Sequence, residues 1–330
     1  MSPIKEVVLW LIFILVVVSG LVGYYALRPL PFTQLPYEFS LKQGSSLKSA
    51  ARQMKQADVL SSDWLFVLLA RGLGKAAQIK PGNYEIEEPI SPLQLLDMIS
   101  KGRVEQSEIT VVEGFTFSQL RQILNASVSL RHDSVTLPDD EILKRIGATE
   151  NQAEGLFFPD TYNFATGSSD LTVLKRAYQL MQKHLQESWS KRDPDLPLNS
   201  PYDALILASI VEKETGQAVD RPMIAGVFIN RLKKKMLLQT DPTVIYGMGE
   251  KFDGNLRKRD LQTDTPYNTY TRGGLTPTPI ALPGLASIQA VLHPAQTNAL
   301  YFVARGDGSS YFSSTLAEHN NAVNKYQKNE

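Results

Sequence analysis

The sequence predicts an α+β protein in three parts: a single N-terminal transmembrane helix, a small α+β module over residues 37–104, and a mixed α+β domain over residues 105–330. Three observations predict it. Residues 7–27 form a run of 21 without a charge, in which Ser19 is the strongly polar side chain. Short alternating strands, Tyr37-Glu38-Phe39-Ser40-Leu41 and Ile109-Thr110-Val111-Val112, each lead through a glycine turn into residues apolar at helical spacing. Near the middle, Ser200-Pro201-Tyr202-Asp203 opens an almost wholly apolar helix that ends in Glu212-Lys213-Glu214-Thr215-Gly216.

The N-terminal run is long enough to span a hydrocarbon core of about 30 Å, and longer than the apolar part of a cleaved leader. Its exit, Tyr24-Tyr25-Ala26-Leu27-Arg28, has the aromatic and basic character of an interfacial anchor. Residues 1–6 are then a tail on the inner side, 7–27 the anchor and 28–36 a short proline-stiffened linker, with everything after it outside.

In the module, Leu47, Ala50, Ala51 and Met54 mark the apolar face of a first helix. Ser62-Asp63-Trp64 opens a second, closed by Gly72 and Gly74. Ile79 to Ile86 reads as a turn feeding a strand, and Ser91-Pro92 starts a third helix that runs to Lys101-Gly102. Two short strands flanking two helices resemble a LysM-type glycan-binding module, best over residues 37–86.

The central helix carries its own punctuation. Ser200 suits the N-cap, Pro201 the first helical position, Asp203 the capping box and Gly216 a left-handed stop. Ala204 to Val211 contain one polar side chain, Ser209, so the helix is buried on most sides. Successive residues step about 100° around a helix, which sends Glu212 and Glu214 to nearly opposite sides. Glu212 lies above Leu205, Ala208 and Ser209, a face of small residues suited to a cleft; Glu214 lies above Leu207, Ile210 and Val211. The helix C-terminus and partial burial both disfavour negative charge, and a general acid needs a carboxyl that keeps its proton near neutral pH. Two solvated end-of-helix acids are the plainer reading of the same spacing.

Elsewhere, Glu154-Gly155-Leu156-Phe157-Phe158-Pro159-Asp160-Thr161-Tyr162 reads as a tightly held strand or loop and adds two carboxylates, Glu154 and Asp160. Leu171 to Trp189 has the stripe of an amphipathic helix, and Asp220 is placed to cap another over Pro222 to about Lys235. Leu238-Gln239-Thr240-Asp241, Thr265-Pro266-Tyr267-Asn268-Thr269-Tyr270 and Gly273 to Pro279 combine amides, hydroxyls, aromatics and prolines with few charges. Sugar hydroxyls need paired donors and acceptors, and sugar faces stack on rings, so these segments suit carbohydrate. Leu300 to Ser313 reads as a hairpin and Ala317 to Tyr326 as a closing helix.

Composition narrows the chemistry. Thirty-four basic residues balance 34 acidic ones, so the totals carry no nucleic-acid footprint. There is no cysteine, and His132, His184, His293 and His319 are scattered without metal-ligand spacing. No glycine-rich phosphate loop or nucleophile elbow is present, so neither cofactor nor metal is expected. What remains is acid–base work by carboxylates.

Five segments together resemble one family. They are Ala208 to Thr215, Val227-Phe228-Ile229-Asn230-Arg231-Leu232, Leu238 to Gly247, Tyr267 to Tyr270 and Glu154 to Tyr162. Their order and residues are similar to those of the endolytic murein transglycosylases of the MltG (YceG-like) type. The resemblance runs the length of the chain and is dense from Glu154 onward. It implies a bacterial inner-membrane protein, single-pass with its N-terminus inside, whose outer part cuts nascent peptidoglycan strands. The bond implied is the β-1,4 link from N-acetylmuramic acid to N-acetylglucosamine, and the product end a 1,6-anhydromuramic acid. It implies Glu212 as the catalytic residue, and the stretches holding Gln239, Thr240, Tyr267 and Asn268 are similar to those that line the cleft in other lytic transglycosylases; Glu154, Ser209, Glu214, Asp241 and Tyr270 are further candidates to bind substrate. The partners it implies are glycan strands, the membrane and peptidoglycan synthases.

An ordinary glycosidase needs two carboxylates, whereas a lytic enzyme lets the sugar's own C6 hydroxyl attack and needs one. Two further readings stay open on the sequence: hydrolysis with Glu154 or Asp160 as second carboxylate, and a non-enzymatic wall-binding scaffold.

Overall fold

The computed structural model describes residues 10, 13, 16–17, 20–32, 35–42, 44–86, 88–101, 106–165 and 167–327. The expected tail over residues 1–6, most of residues 7–19, part of the linker and the closing Gly102 lie outside the described residues. The chain divides into two compact units. The first runs to Glu108 and includes Asn163–Ser168; the second comprises Ile109–Tyr162 and Ser169 onward.

The first unit is built in the order β1 (Tyr37–Leu41), α1 (Leu47–Gln56), α2 (Asp63–Gly72), β2 (Gly82–Ile86) and α3 (Pro92–Lys101). The strands pair antiparallel, with Tyr37 opposite Ile86 and Leu41 opposite Gly82. Ser46 and Ser62 cap α1 and α2 by accepting from Ser49 and Leu65 N–H groups, which stops two otherwise orphaned donors from being lost. Phe39, Leu41, Met54, Phe66, Leu95, Leu96 and Ile99 fill the core.

Among the described residues no helix is long and apolar enough to cross a membrane. This overturns the expected transmembrane helix over residues 7–27 and, with it, the expected single-pass placement in the inner membrane. Residues 20–27 are helical, with one face against protein while Leu21, Tyr24 and Leu27 are exposed. Ala26 is buried, Val22 and Tyr25 pack on the core of the first unit, and the Tyr25 hydroxyl donates to the Ser62 carbonyl. The segment expected as a short stiff linker is tied to the first unit where Leu30 N–H donates to the Ile90 carbonyl.

Two strands, β3 (Gln106–Thr110) and β4 (Thr161–Ala165), have residues in both units; the helices of the second unit begin with α4 (Phe117–Ala126), α5 (Asp139–Ile146), α6 (Asp170–Ser190) and α7 (Pro201–Glu214). There follow α8 (Arg221–Lys233), α9 (Asp241–Met248), α10 (Lys258–Gln262), α11 (Leu285–Leu292), β5 (Tyr301–Ala304), β6 (Ser310–Ser313) and α12 (Leu316–Gln327). The mixed α and β character expected of this region is present in the described residues.

Helix α7 is the axle. Eight consecutive residues, Ala204 to Val211, are buried, which is possible because α6, α8, α9 and α11 all pack against it. Ser200 accepts from the Asp203 N–H and Pro201 occupies the first turn, as the sequence required. The stop differs from expectation. The helix ends with Thr215 in an extended conformation rather than on a left-handed Gly216. Asp220 flanks α8 without a side-chain cap; its carboxylate instead accepts from Ser310 N–H at 2.7 Å, tying the start of α8 to the β5–β6 hairpin.

Candidate active site

The end of α7 presents Glu212 to the start of α11. One Glu212 oxygen accepts from the Gly284 N–H at 2.9 Å, and the other from the Arg221 guanidinium at 3.2 Å. Gly284 is the N-cap residue of α11, so the carboxylate meets the positive end of that helix as well as the negative end of its own. Arg221 opens α8 and is itself largely buried; its Nη2 also lies 3.7 Å from the Glu113 carboxylate. Glu113 belongs to the turn between β3 and α4, which is held by Gly114 N–H donating to Leu282 O and Leu282 N–H donating to Phe115 O. Lys213 adds a bond from its Nζ to Gly114 O at 3.2 Å. Beyond Arg221 lies a cavity of about 480 Å³, with Pro222, Leu285, Ala286, His184 and Lys191 in its wall. All of these residues belong to the second unit.

The sequence pointed to an isolated Glu212 on an apolar face with room for a cleft. Glu212 is instead paired with a guanidinium, and the small residues beneath it are covered. Ser209 is completely buried: its hydroxyl donates to Ile206 O at 2.7 Å and accepts from Ile280 N–H at 2.9 Å. It fastens α7 to the segment leading to Gly284, and both of its hydrogen-bonding roles are filled by backbone.

On the opposite side of α7 sits a second cluster. Glu214 accepts from the Thr240 hydroxyl, and Tyr270 donates to Asp241 at 2.5 Å. Burial pushes the Glu214 carboxyl up to about 7; Asp241 adds to this, while the Thr240 bond and Arg231 oppose it. Arg231 is a buried cation that donates to the carbonyls of Leu237, Leu238 and Leu300 and to the Gln239 side chain. It thereby holds Gln239, which turns the chain with a positive φ of 51°. Gln239, Thr240, Asp241 and Tyr270 are therefore brought together, but around Glu214.

Glu154 forms a third cluster. One oxygen accepts from Phe117 N–H at 2.9 Å at the start of α4, the other from the Tyr246 hydroxyl at 3.1 Å on α9. Burial pushes this carboxyl up to about 7 against those two bonds. The Tyr267 ring packs edge-on to Tyr246, and its hydroxyl bonds with that of Thr278. Asn268 is buried, with its amide donating to the carbonyls of Asp260, Leu261 and Thr263 and its oxygen accepting from Tyr270 N–H. Asp160 is exposed and accepts from the N–H of its neighbour Thr161.

A model of the YceG-like family matches residues 39–325, nearly the whole chain. The chain belongs to the YceG-like family. Among curated proteins, an endolytic murein transglycosylase of Bacillus subtilis (strain 168) is 34% identical over 310 residues, covering 88% of this chain and 85% of that protein. An endolytic murein transglycosylase of Streptococcus pneumoniae serotype 2 is 26% identical over 365 residues, covering 98% of this chain and 65% of its own length. Among solved structures, a yceG-like protein from Listeria monocytogenes covers 87% of this chain and 99% of its own, at 29% identity and a TM-score of 0.54.

Three residues that surround Glu212, namely Glu113, Arg221 and Gly284, carry no signal in the sequence. In the sequence Glu113 stands in the glycine turn after Ile109-Thr110-Val111-Val112, and Arg221 stands between Asp220 and Pro222. Gly284 is required by a close approach. A Cβ there would lie 1.9 Å from a Glu113 carboxylate oxygen. No local pattern signals that contact, because it joins residues 171 positions apart in the YceG-like chain.

Proposed function

We infer that this YceG-like chain is a lytic transglycosylase acting on peptidoglycan, with Glu212 as the acid–base residue. The family and the relatives named endolytic murein transglycosylase support the activity. The observation that carries the assignment of Glu212 is its placement. Of the three candidate glutamates, Glu154, Glu212 and Glu214, Glu212 is the one held between the end of α7 and the start of α11, while Glu154 and Glu214 bond to groups that tie neighbouring segments together.

The chemistry needs one such group. The glycan binds with the link between N-acetylmuramic acid C1 and N-acetylglucosamine O4 beside Glu212. As C1–O4 breaks, the Glu212 proton passes to O4 and the N-acetylglucosamine leaves with a free hydroxyl. The C6 hydroxyl oxygen of the muramic residue bonds to C1, and its proton returns to Glu212. A 1,6-anhydro ring forms, no water is consumed, and the carboxyl is regenerated. The Gly284 N–H steadies the transient carboxylate, a fixed donor aimed where negative charge develops.

The strand–helix–helix–strand order of the first unit supports its reading as a LysM-like glycan-binding module that holds the strand being cut. Peptidoglycan synthases, which would extend the same strands, are the partners proposed on the family resemblance.

The test compares release of soluble fragments from purified peptidoglycan by three variants of the full chain. Glu212→Gln abolishes release with little change in melting temperature, whereas Glu154→Gln and Glu214→Gln retain measurable release. A fully active Glu212→Gln protein contradicts the assignment.

A further inference from the structure

One guanidinium stands between two carboxylates at this site, and the arrangement is unequal. Arg221 Nη2 is 3.2 Å from Glu212 and 3.7 Å from Glu113. Its Nε is buried with no hydrogen-bond partner. The Glu212 side chain is 5% exposed, but that of Glu113 is 47% exposed and so is free to shift. The Glu113 carboxylate lies against the Cα of Gly284, the residue whose N–H binds the other Glu212 oxygen. The turn bearing Glu113 is clamped through Gly114, Phe115 and Leu282 and by Lys213.

Acid catalysis by Glu212 creates a difficulty that this arrangement answers. When Glu212 carries the proton it no longer neutralises Arg221, and a largely buried cation without a counter-charge is costly. Glu113 is the carboxylate within reach. A small rotation of the guanidinium toward it exchanges one ion pair for the other, leaving Glu212 neutral and Arg221 compensated. When the C6 hydroxyl later loses its proton, the exchange reverses.

We propose that Glu113 is a positioning residue that takes over the Arg221 guanidinium while Glu212 holds the catalytic proton. The proposal rests on the reading of Glu212 as the acid–base residue. The charged groups around Arg221 are Glu113 on the turn before α4, Glu212 and Lys213 on α7, and, in the cavity wall, His184, Glu187 and Lys191 at the end of α6 and His293 after α11.

Without Glu113, Arg221 is committed to Glu212 as carboxylate, and the proton is lost at lower pH. Without Arg221, Glu113 stands as an unshielded negative charge, and the proton is kept to higher pH. The experiment is the pH–rate profile for glycan cleavage by the full chain. Glu113→Gln moves the basic limb to lower pH by about one unit, the size expected for one charge a few ångströms away in a partly screened site. Arg221→Gln moves that limb in the opposite direction. Glu113→Asp restores the position of the limb in part. Gly284→Ala, whose methyl displaces the flexible end of Glu113 but leaves the N–H in place, follows Glu113→Gln. In Glu113→Gln the loss at pH 7 falls on kcat, with KM within about twofold.

If Arg221→Gln fails to fold, Glu113→Gln and Gly284→Ala decide the matter. Lowered activity in both with an unmoved basic limb overturns the exchange, provided Glu212→Gln is inactive. An active Glu212→Gln protein instead brings down the underlying assignment, so the two failures are separate.

Discussion

Glu212 and Glu214, two residues apart at the end of one helix, are bonded to different parts of the fold: Glu212 to Arg221 and Gly284, Glu214 to Thr240. Helical geometry sends them to opposite sides, and tertiary structure then gives each a different use. Of the residues that follow Leu238, Thr240 is buried and donates to Glu214, with the exposed Gln239 and Asp241 on either side of it in the chain bonded to Arg231 and Tyr270. The acid facing the start of α11 keeps company with two charged residues and a backbone donor.

Burial of Glu154 and Glu214 makes stability depend on pH. Both carboxyls are pushed from an ordinary value of 4.5 up to about 7, so between these limits the folded chain holds protons that the unfolded chain has released. Their contribution is fully present below pH 4.5 and is lost as pH rises through 7. Glu154→Gln and Glu214→Gln each flatten the stability profile over this window, by on the order of 1–3 kcal/mol relative to the parent. Urea titrations at pH 5 and pH 7.5 measure it; profiles parallel to that of the parent contradict it.

Ser209 acts as a fastener. Ser209→Ala leaves the Ile280 N–H buried and unpaired, at a cost of about 1–3 kcal/mol. The melting temperature falls, and KM for glycan measured well below the transition stays within about twofold. A large KM effect without destabilisation would return Ser209 to the substrate-binding group.

Asn268 makes the same argument more strongly, since its buried side chain satisfies three carbonyls and one N–H of the 260–270 loop. Asn268→Ala destabilises the second unit by roughly 2–4 kcal/mol through those unpaired groups. Hydrogen exchange localises the loss to residues 260–270. Unchanged exchange there, with weakened glycan binding, contradicts the structural role.

What was legible in the sequence was local. Ser200, Pro201 and Asp203 announced the start of α7, and its unbroken apolar run announced burial. The stripe from Leu171 to Trp189 gave α6 to within one residue at either end. Segments whose structure is imposed from outside were not legible. Asp241–Met248 and Leu285–Leu292 are short helices without a broad polar face, and the sequence reading left both unassigned. The span expected over residues 7–27 rested on apolar length alone, which carries no sign that Val22, Tyr25 and Ala26 pack on the core of the first unit. At the site, Glu212 and Glu214 stood out through their position on a strong helix. Arg221, Glu113 and Gly284 converge from three distant segments, and only packing brings them together. Among the polar residues expected to contact sugar, Ser209 and Asn268 already have their hydrogen-bonding groups occupied by backbone.

The central claim is that Glu212 serves as acid and then base for attack by the substrate's own C6 hydroxyl. The most direct measurement is the mass of the new glycan ends released from purified peptidoglycan by the parent chain and by Glu212→Gln. The account predicts 1,6-anhydromuramic ends, lighter than reducing ends by one water, from the parent and none from the variant. Reducing ends from the parent, or anhydro ends from the variant at an undiminished rate, would contradict it.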